Sequence, residues 1–212
     1  MQLQKVIRNT AYVVGFVWSL AIAVNGAKLS NNWSKGLSFV PLAVALTFAL
    51  YDNVLWRWRP ILPIAHRPDL AGTWLGHVDA EWLDVNEKLQ RSTGLVALVI
   101  KQSFTRLSIV LLAEKSRSFS IVALARQLDS GEFAVDYIYA NSPKVKYKAQ
   151  LPAHTGSAEL TVSSVRPLSF TGEYWTDRLS RGSLDLQWVS SKRVSQLADA
   201  QALPVEPRRG AT

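Results

Sequence analysis

The sequence predicts a membrane-anchored all-β protein: a two-helix transmembrane hairpin followed by an eight-stranded antiparallel up-and-down β-barrel. Three observations predict it. Two uncharged apolar segments fall within the first 56 residues, and no later stretch is as long and apolar. The remaining chain breaks into short alternating segments separated by turn residues.

The first apolar segment, Ala11–Ala27, lies in a charge-free run between Arg8 and Lys28. It approaches the ~17–25 residues that cross a bilayer as helix, giving a predicted span of about 9–27. The second, Gly36–Tyr51, would rise only ~24 Å as helix. It must borrow Asp52–Trp56 to reach the ~30 Å hydrocarbon thickness, giving a span of 36–56. Trp56, Arg57, Trp58 and Arg59 then read as an interfacial girdle. The polar turn Lys28–Lys35 is too short to be a domain, so both termini share one side. Lys5, Arg8, Arg57, Arg59 and Arg67 outweigh Lys28 and Lys35, which places the barrel and both termini in the cytoplasm of a multi-pass inner-membrane protein. A cleaved signal peptide fits less well, because Asn25-Gly26-Ala27 is a poor cleavage site and Trp18 interrupts the aliphatic run. Ala23 with Ala27, and Ala45 with Ala49, are small-residue pairs suited to helix association in lipid. The expected division is a hairpin over 1–60, a linker over 61–71, the barrel over 72–190, and a tail over 191–212 that is poorly ordered or a short helix.

Cysteine is absent, which removes disulfides, thiolate nucleophiles and cysteine metal sites together. The three histidines, His66, His77 and His154, have no metal-ligand spacing. No phosphate-binding glycine loop or nucleophile elbow is present, so neither a metal, a cofactor nor an enzyme is expected. Most of the net charge of +8 is juxtamembrane: residues 1–60 hold six basic residues and one acid, 61–190 hold fourteen against thirteen, and the remainder lies in the tail. That distribution argues against DNA or RNA. Lys144, Lys146 and Lys148 read as a solvated strand face.

The predicted strands are Gly72–Trp82, Thr93–Gln102, Thr105–Ala113, Ser116–Leu128, Phe133–Ala140, Ser157–Val165, Ser169–Arg178 and Ser183–Ser190. Asp84–Gln90 and Ser195–Leu203 read as short helical turns. Short links between eight strands suggest a minimal lipocalin-like barrel whose interior holds side chains or one small ligand, with a sandwich as the alternative. Alternation assigns the faces. Trp74, Gly76 and Val78 point inward, as do Val96, Leu98, Ile100 and Gln102, then Val135, Tyr137 and Tyr139, then Ala158, Leu160 and Val162. Tyr174, Thr176 and Arg178 follow on the seventh strand, Leu184, Leu186 and Trp188 on the eighth, and His154 falls at the mouth. For the fourth strand, Ser116, Ser118 and Ser120 oppose Arg117, Phe119 and Ile121, and hydrophobicity leaves the inward set open.

The inward polar group of Gln102, Ser118, Tyr137, Tyr139, His154, Tyr174, Thr176 and Arg178 is the candidate ligand site. Singly, each has an ordinary structural role. Together they require partners, because burying polar groups costs free energy unless they are satisfied. Aromatic rings beside hydroxyls, an amide and a guanidinium suit a nucleobase and phosphate. A lipid or apolar metabolite in a membrane-tethered carrier would need an unbroken apolar lining, and a ligand-free scaffold a filled interior.

Gly72-Thr73-Trp74, the serines at 116, 118 and 120, YIYANSP over 137–143, HTGSAEL over 154–160 and GEYWTDRLSRGSLDL over 172–186 resemble one family. It is the SMODS-associated two-transmembrane, β-strand-rich effector of CBASS, the cyclic-oligonucleotide-based bacterial anti-phage signalling system. The resemblance covers the whole chain. It implies that a partner nucleotidyltransferase makes a cyclic dinucleotide, which binds the barrel. Binding would drive homo-oligomerisation of the anchored protein in the lipid bilayer and inner-membrane disruption, ending in abortive infection. Arg178 would then contact phosphate, with Tyr137, Tyr139 or Tyr174 as stacking or hydroxyl groups.

Overall fold

The computed structural model describes residues 12, 15–20, 23–24, 40–58, 60–61, 65–84, 86–149 and 151–208. The chain divides into two compact units, Met1–Trp56 and Arg57–Thr212.

In the first unit, helix α1 spans Val40–Asn53. The Asn53 amide folds back to donate to the Ala49 carbonyl at 2.8 Å, and the chain leaves the helix through a turn at Val54 and a 3-10 turn, Leu55–Arg57. Fourteen helical residues rise about 21 Å, short of the ~30 Å hydrocarbon core. The stretch needed to lengthen this span, Asp52–Trp56, is where the helix stops. Of the first predicted span, residues 12, 15–20 and 23–24 are helical, while the turn at Lys28–Lys35 and Ala27 lie outside the described residues. Among the described residues no helix is long and apolar enough to cross a membrane.

This corrects the transmembrane hairpin, with its spans at 9–27 and 36–56, and with it the inner-membrane placement, the bilayer as partner, and assembly-driven membrane disruption. Hydropathy records which side chains are apolar; the length of a helix depends also on where its backbone hydrogen-bond ladder ends. Ala45 faces Gly15 of the same chain, where an added Cβ would lie 3.7 Å from the Ala45 Cβ. Ala23 and Ala49 are half-buried.

The second unit is a closed barrel of eight antiparallel strands in sequence order. The strands are β1 Gly72–Leu83, β2 Leu89–Gln102, β3 Leu107–Ala113, β4 Ser116–Gln127, β5 Phe133–Pro143, β6 His154–Val162, β7 Ser169–Thr176 and β8 Arg181–Ser190. β1 pairs with β8, so no strand is left with an open edge. Of the expected helical turn Asp84–Gln90, Leu89 and Gln90 belong to β2 and pair with β1, so the segment is a hairpin connection in place of a helix. The Asp84 carboxylate accepts from the N–H groups of Asn86 (2.8 Å) and Lys88 (3.0 Å) and from the Gln90 amide (2.9 Å), and these bonds hold it below the usual carboxylate range.

Inward faces follow the two-residue period. Trp74, Leu98, Ile100, Ile109, Leu160 and Leu186 are fully buried. Trp74 packs on Phe170 at 4.3 Å and edge-on to Trp188 at 5.3 Å. In β4 the serines face in: Ser118 and Ser120 are buried, whereas Phe119 (43%) and Ile121 (51%) are exposed. An irregularity between Ser120 and Val122 then shifts the register, and Ala123 and Ala125 join the core.

One end of the barrel is sealed by the segments flanking it. Gln102 accepts from the Leu70 N–H and donates to the Pro68 carbonyl, both at 2.8 Å, and the Trp74 indole donates to the Leu70 carbonyl at 2.9 Å. Gly72, at φ 138°, lies where a Cβ would come within 2.4 Å of the Trp188 ring, so only glycine fits. The tail carries a short helix, α2 Leu197–Gln201, whose Ala200 packs with Ala97, Val99 and Leu112 on the outer face. It thereby buries β2 on both sides. Beyond it, the Glu206 carboxylate accepts from the Ser191 N–H (3.0 Å) and hydroxyl (2.9 Å). The Arg208 guanidinium lies over Trp188 (4.1 Å) and Trp74 (4.8 Å) and donates to the carbonyls of Pro167 and Asp69. Burial lowers its pKa to about 10, against the opposing pull of Asp69.

Candidate functional site

The opposite end is open. Across it the register builds rungs of neighbouring side chains: Ser118, Asn141 and His154 on β4, β5 and β6; Tyr139, Gly156 and Thr176 on β5, β6 and β7; and Tyr137, Ala158 and Tyr174 one step deeper. Small residues, Gly156 and Ala158, lie beside the tyrosines of these rungs and leave room for their rings. Gly156 is required by this arrangement, since a Cβ there would come within 2.4 Å of the Tyr139 hydroxyl oxygen. The Tyr137 and Tyr139 rings are 5.8 Å apart, and Tyr139 meets His154 edge-on at 6.5 Å.

These rungs surround a cavity of about 170 Å³. One wall is aliphatic, from Val78, Val96, Leu111 and Leu184 on β1, β2, β3 and β8; the other is polar, from β4 to β7. Asn141 donates to the hydroxyls of Ser116 (3.1 Å) and Ser118 (2.9 Å), which fixes its amide plane. None of the hydroxyls of Tyr137, Tyr139 and Tyr174 has a hydrogen-bond partner among the described residues. His154 Nδ1 is buried and likewise unpartnered among them. Burial raises the pKa of all three phenols above the ordinary tyrosine value, with neighbouring Tyr139, Tyr174 and Asp79 adding to it in turn. All three are therefore protonated donors at neutral pH. Burial holds the His154 imidazole below the usual histidine range, helped by Arg178 and opposed by the Pro152 carbonyl and Asp177.

The rim is basic. The β5–β6 connection carries Lys144, Lys146 and Lys148 over a 3-10 turn, Val145–Tyr147. It is tied to the β3–β4 hairpin by the Lys144 N–H, which donates to the Lys115 carbonyl at 2.9 Å. The lysine run is thus a loop at the mouth and not a strand face. Lys146 lies 4.8 Å from the Tyr147 ring. Arg178, in the β7–β8 turn, is exposed and donates weakly to the Pro152 carbonyl at 3.4 Å.

Of the predicted site residues, the structure gathers Ser118, Tyr137, Tyr139, His154 and Tyr174 around the cavity, with Arg178 on the rim. Thr176 bonds Ser180 at 2.7 Å and pins the β7–β8 turn. Gln102 lies at the sealed end, with its amide satisfied. The sequence reading leaves out Asn141, which lines the cavity together with Ser116, one of the serines whose face stayed open. The signal for Asn141 is its place two residues beyond Tyr139.

A closed barrel sealed at one end, with unpartnered polar groups around a cavity at the other, defines a receptor domain for a small polar molecule. Residues 65–188 match the family model described as Cap15, cyclic dinucleotide receptor domain, and the chain belongs to that family. The match spans the barrel from before β1 to Trp188 and leaves the tail outside it. No curated protein matches the chain.

Proposed function

We propose that a cyclic dinucleotide binds at the open mouth of the barrel, and that binding alone, without catalysis, is the signal this protein delivers within a CBASS-type defence response. The observation that carries the reading is the set of polar groups around the cavity that bond to no protein group among the described residues: the three protonated phenols and the buried His154 Nδ1. Such groups are costly to leave without partners, and a nucleotide supplies polar edges to meet them. An apolar lipid would bury the same groups unsatisfied. The cationic rim of Lys115, Lys144, Lys146, Lys148 and Arg178 meets the phosphodiesters. A ligand shifts the receptor between states only as far as it binds one more tightly than the other.

The test is calorimetric titration of the full chain with a panel of cyclic dinucleotides. Saturable binding of at least one is expected, and Arg178→Ala should weaken it by about tenfold through loss of a charge-assisted contact. Absence of heat and of thermal shift across the panel, from a chain shown to be folded, overturns the proposal.

A further inference from the structure

The floor of the barrel is a corner of two tryptophans. The Trp74 and Trp188 rings meet at 5.3 Å with their planes 78° apart, and the Arg208 guanidinium sits over both, 4.8 Å from the first and 4.1 Å from the second. Ring faces so placed attract a cation. Trp188 offers its face here, since its buried indole nitrogen has no partner among the described residues.

Two backbone carbonyls complete the enclosure. Arg208 Nη1 donates to Pro167, in the β6–β7 connection, and Nη2 to Asp69, in the segment leading into β1. One planar fork therefore joins three stretches that are far apart in the chain. The Asp69 carboxylate already meets Arg57 at 3.3 Å and Arg166 at 4.0 Å. Three guanidinium groups share that one carboxylate, so charge pairing alone does not place Arg208. What places it is shape, two ring faces and two acceptors, and a lysine ammonium has neither the plane nor the fork. Burial lowers the Arg208 pKa only to about 10, so it stays protonated at neutral pH.

The attachment is otherwise slight. None of residues 202–207 is buried, and this stretch bonds to the end of β8 through Glu206, by its N–H to the Val189 carbonyl and its carboxylate to Ser191. Asp69, Trp74, Pro167 and Trp188 all lie within the family match, whereas Arg208 lies beyond it. The enclosure belongs to the receptor domain and its occupant does not.

We infer that the sealed end is a guanidinium-binding site, separate from the ligand mouth, and that its occupant is the protein's own tail: Arg208 is a removable latch that staples the segment before β1, the β6–β7 connection and the tail over the barrel floor.

Chemical rescue in the full chain tests this. Arg208→Ala should lower the melting temperature by at least about 2 °C, the scale of one lost cation–π contact in a domain of this size. Guanidinium chloride at millimolar concentration, far below denaturing levels, should restore much of that loss saturably, whereas ammonium chloride at equal ionic strength should not. The wild type, its site filled, should gain nothing. Arg208→Lys should melt close to Arg208→Ala, and tryptophan emission should shift in the alanine variant and return with guanidinium. An unchanged melting temperature in Arg208→Ala, wild-type stability in Arg208→Lys, or guanidinium that restores no more than ammonium does overturns the latch. None of these readouts involves a nucleotide, so the receptor reading stands or falls separately.

Discussion

The two ends of the barrel use similar residue types to opposite effect. At the sealed end most polar groups have found protein partners, the buried indole nitrogen of Trp188 being an exception. Gln102 bridges Leu70 and Pro68, the Trp74 indole caps the Leu70 carbonyl, and the Arg208 guanidinium lies between two tryptophans and two carbonyls. At the open end three phenols and an imidazole nitrogen remain without partners among the described residues. A buried polar group that is satisfied helps to specify the fold, whereas several polar groups without protein partners gathered around one cavity point to a molecule that satisfies them.

The comparison is broken most severely at Trp74. Trp74→Ala should cost about 3–5 kcal/mol by emptying the centre of the sealed end, seen as a large fall in the chemical denaturation midpoint. A loss below 1 kcal/mol would mean that this end is not the structural one. Next, Gln102→Ala strands the Leu70 N–H and the Pro68 carbonyl, at a cost of about 1–3 kcal/mol. Ligand affinity should not change, and a matching loss of affinity would return Gln102 to the site. Tyr137→Phe inverts that pattern: stability should hold within about 1 kcal/mol, because no protein partner is lost, while affinity falls about tenfold. Denaturation and calorimetry on one preparation separate the two outcomes.

The smallest effect is a pH dependence. The His154 imidazole binds its proton less well folded than unfolded. Its contribution to stability is therefore present above the unfolded histidine value and is lost as pH falls from there through the folded value. Melting temperature should decline over that acidic window more in the wild type than in His154→Gln. Parallel curves would show that His154 is not the titrating group.

Parity arguments read the faces of the strands well and their heights poorly. Gln102 and Tyr139 both point inward, yet Gln102 closes β2 at the end where β1 begins, whereas Tyr139 lies toward the other end. Alternation carries no coordinate along the barrel axis; that comes from following the up-and-down order of the strands. Asn141 is missed for a different reason. Asn-Ser-Pro reads as a turn, so the fifth strand is ended at Ala140, whereas the ladder with β4 holds it to Pro143. The face of the fourth strand was illegible because its outer side, with Phe119, Ile121 and Leu124, is as apolar as many interiors. The predicted spans fail at the same root, since apolar composition does not fix where a helix ends.

The seam between β1 and β8 joins the two strands that lie furthest apart in the sequence of the barrel. During synthesis β1 leaves the ribosome first and its closing partner last, so the growing sheet carries two unsatisfied edges until the eighth strand emerges. The cavity, walled by β1 and β8 as well as by the strands between, does not exist before that moment. A half-made chain is blind to its signal, and its period of greatest exposure to mispairing ends with the same event that makes it responsive.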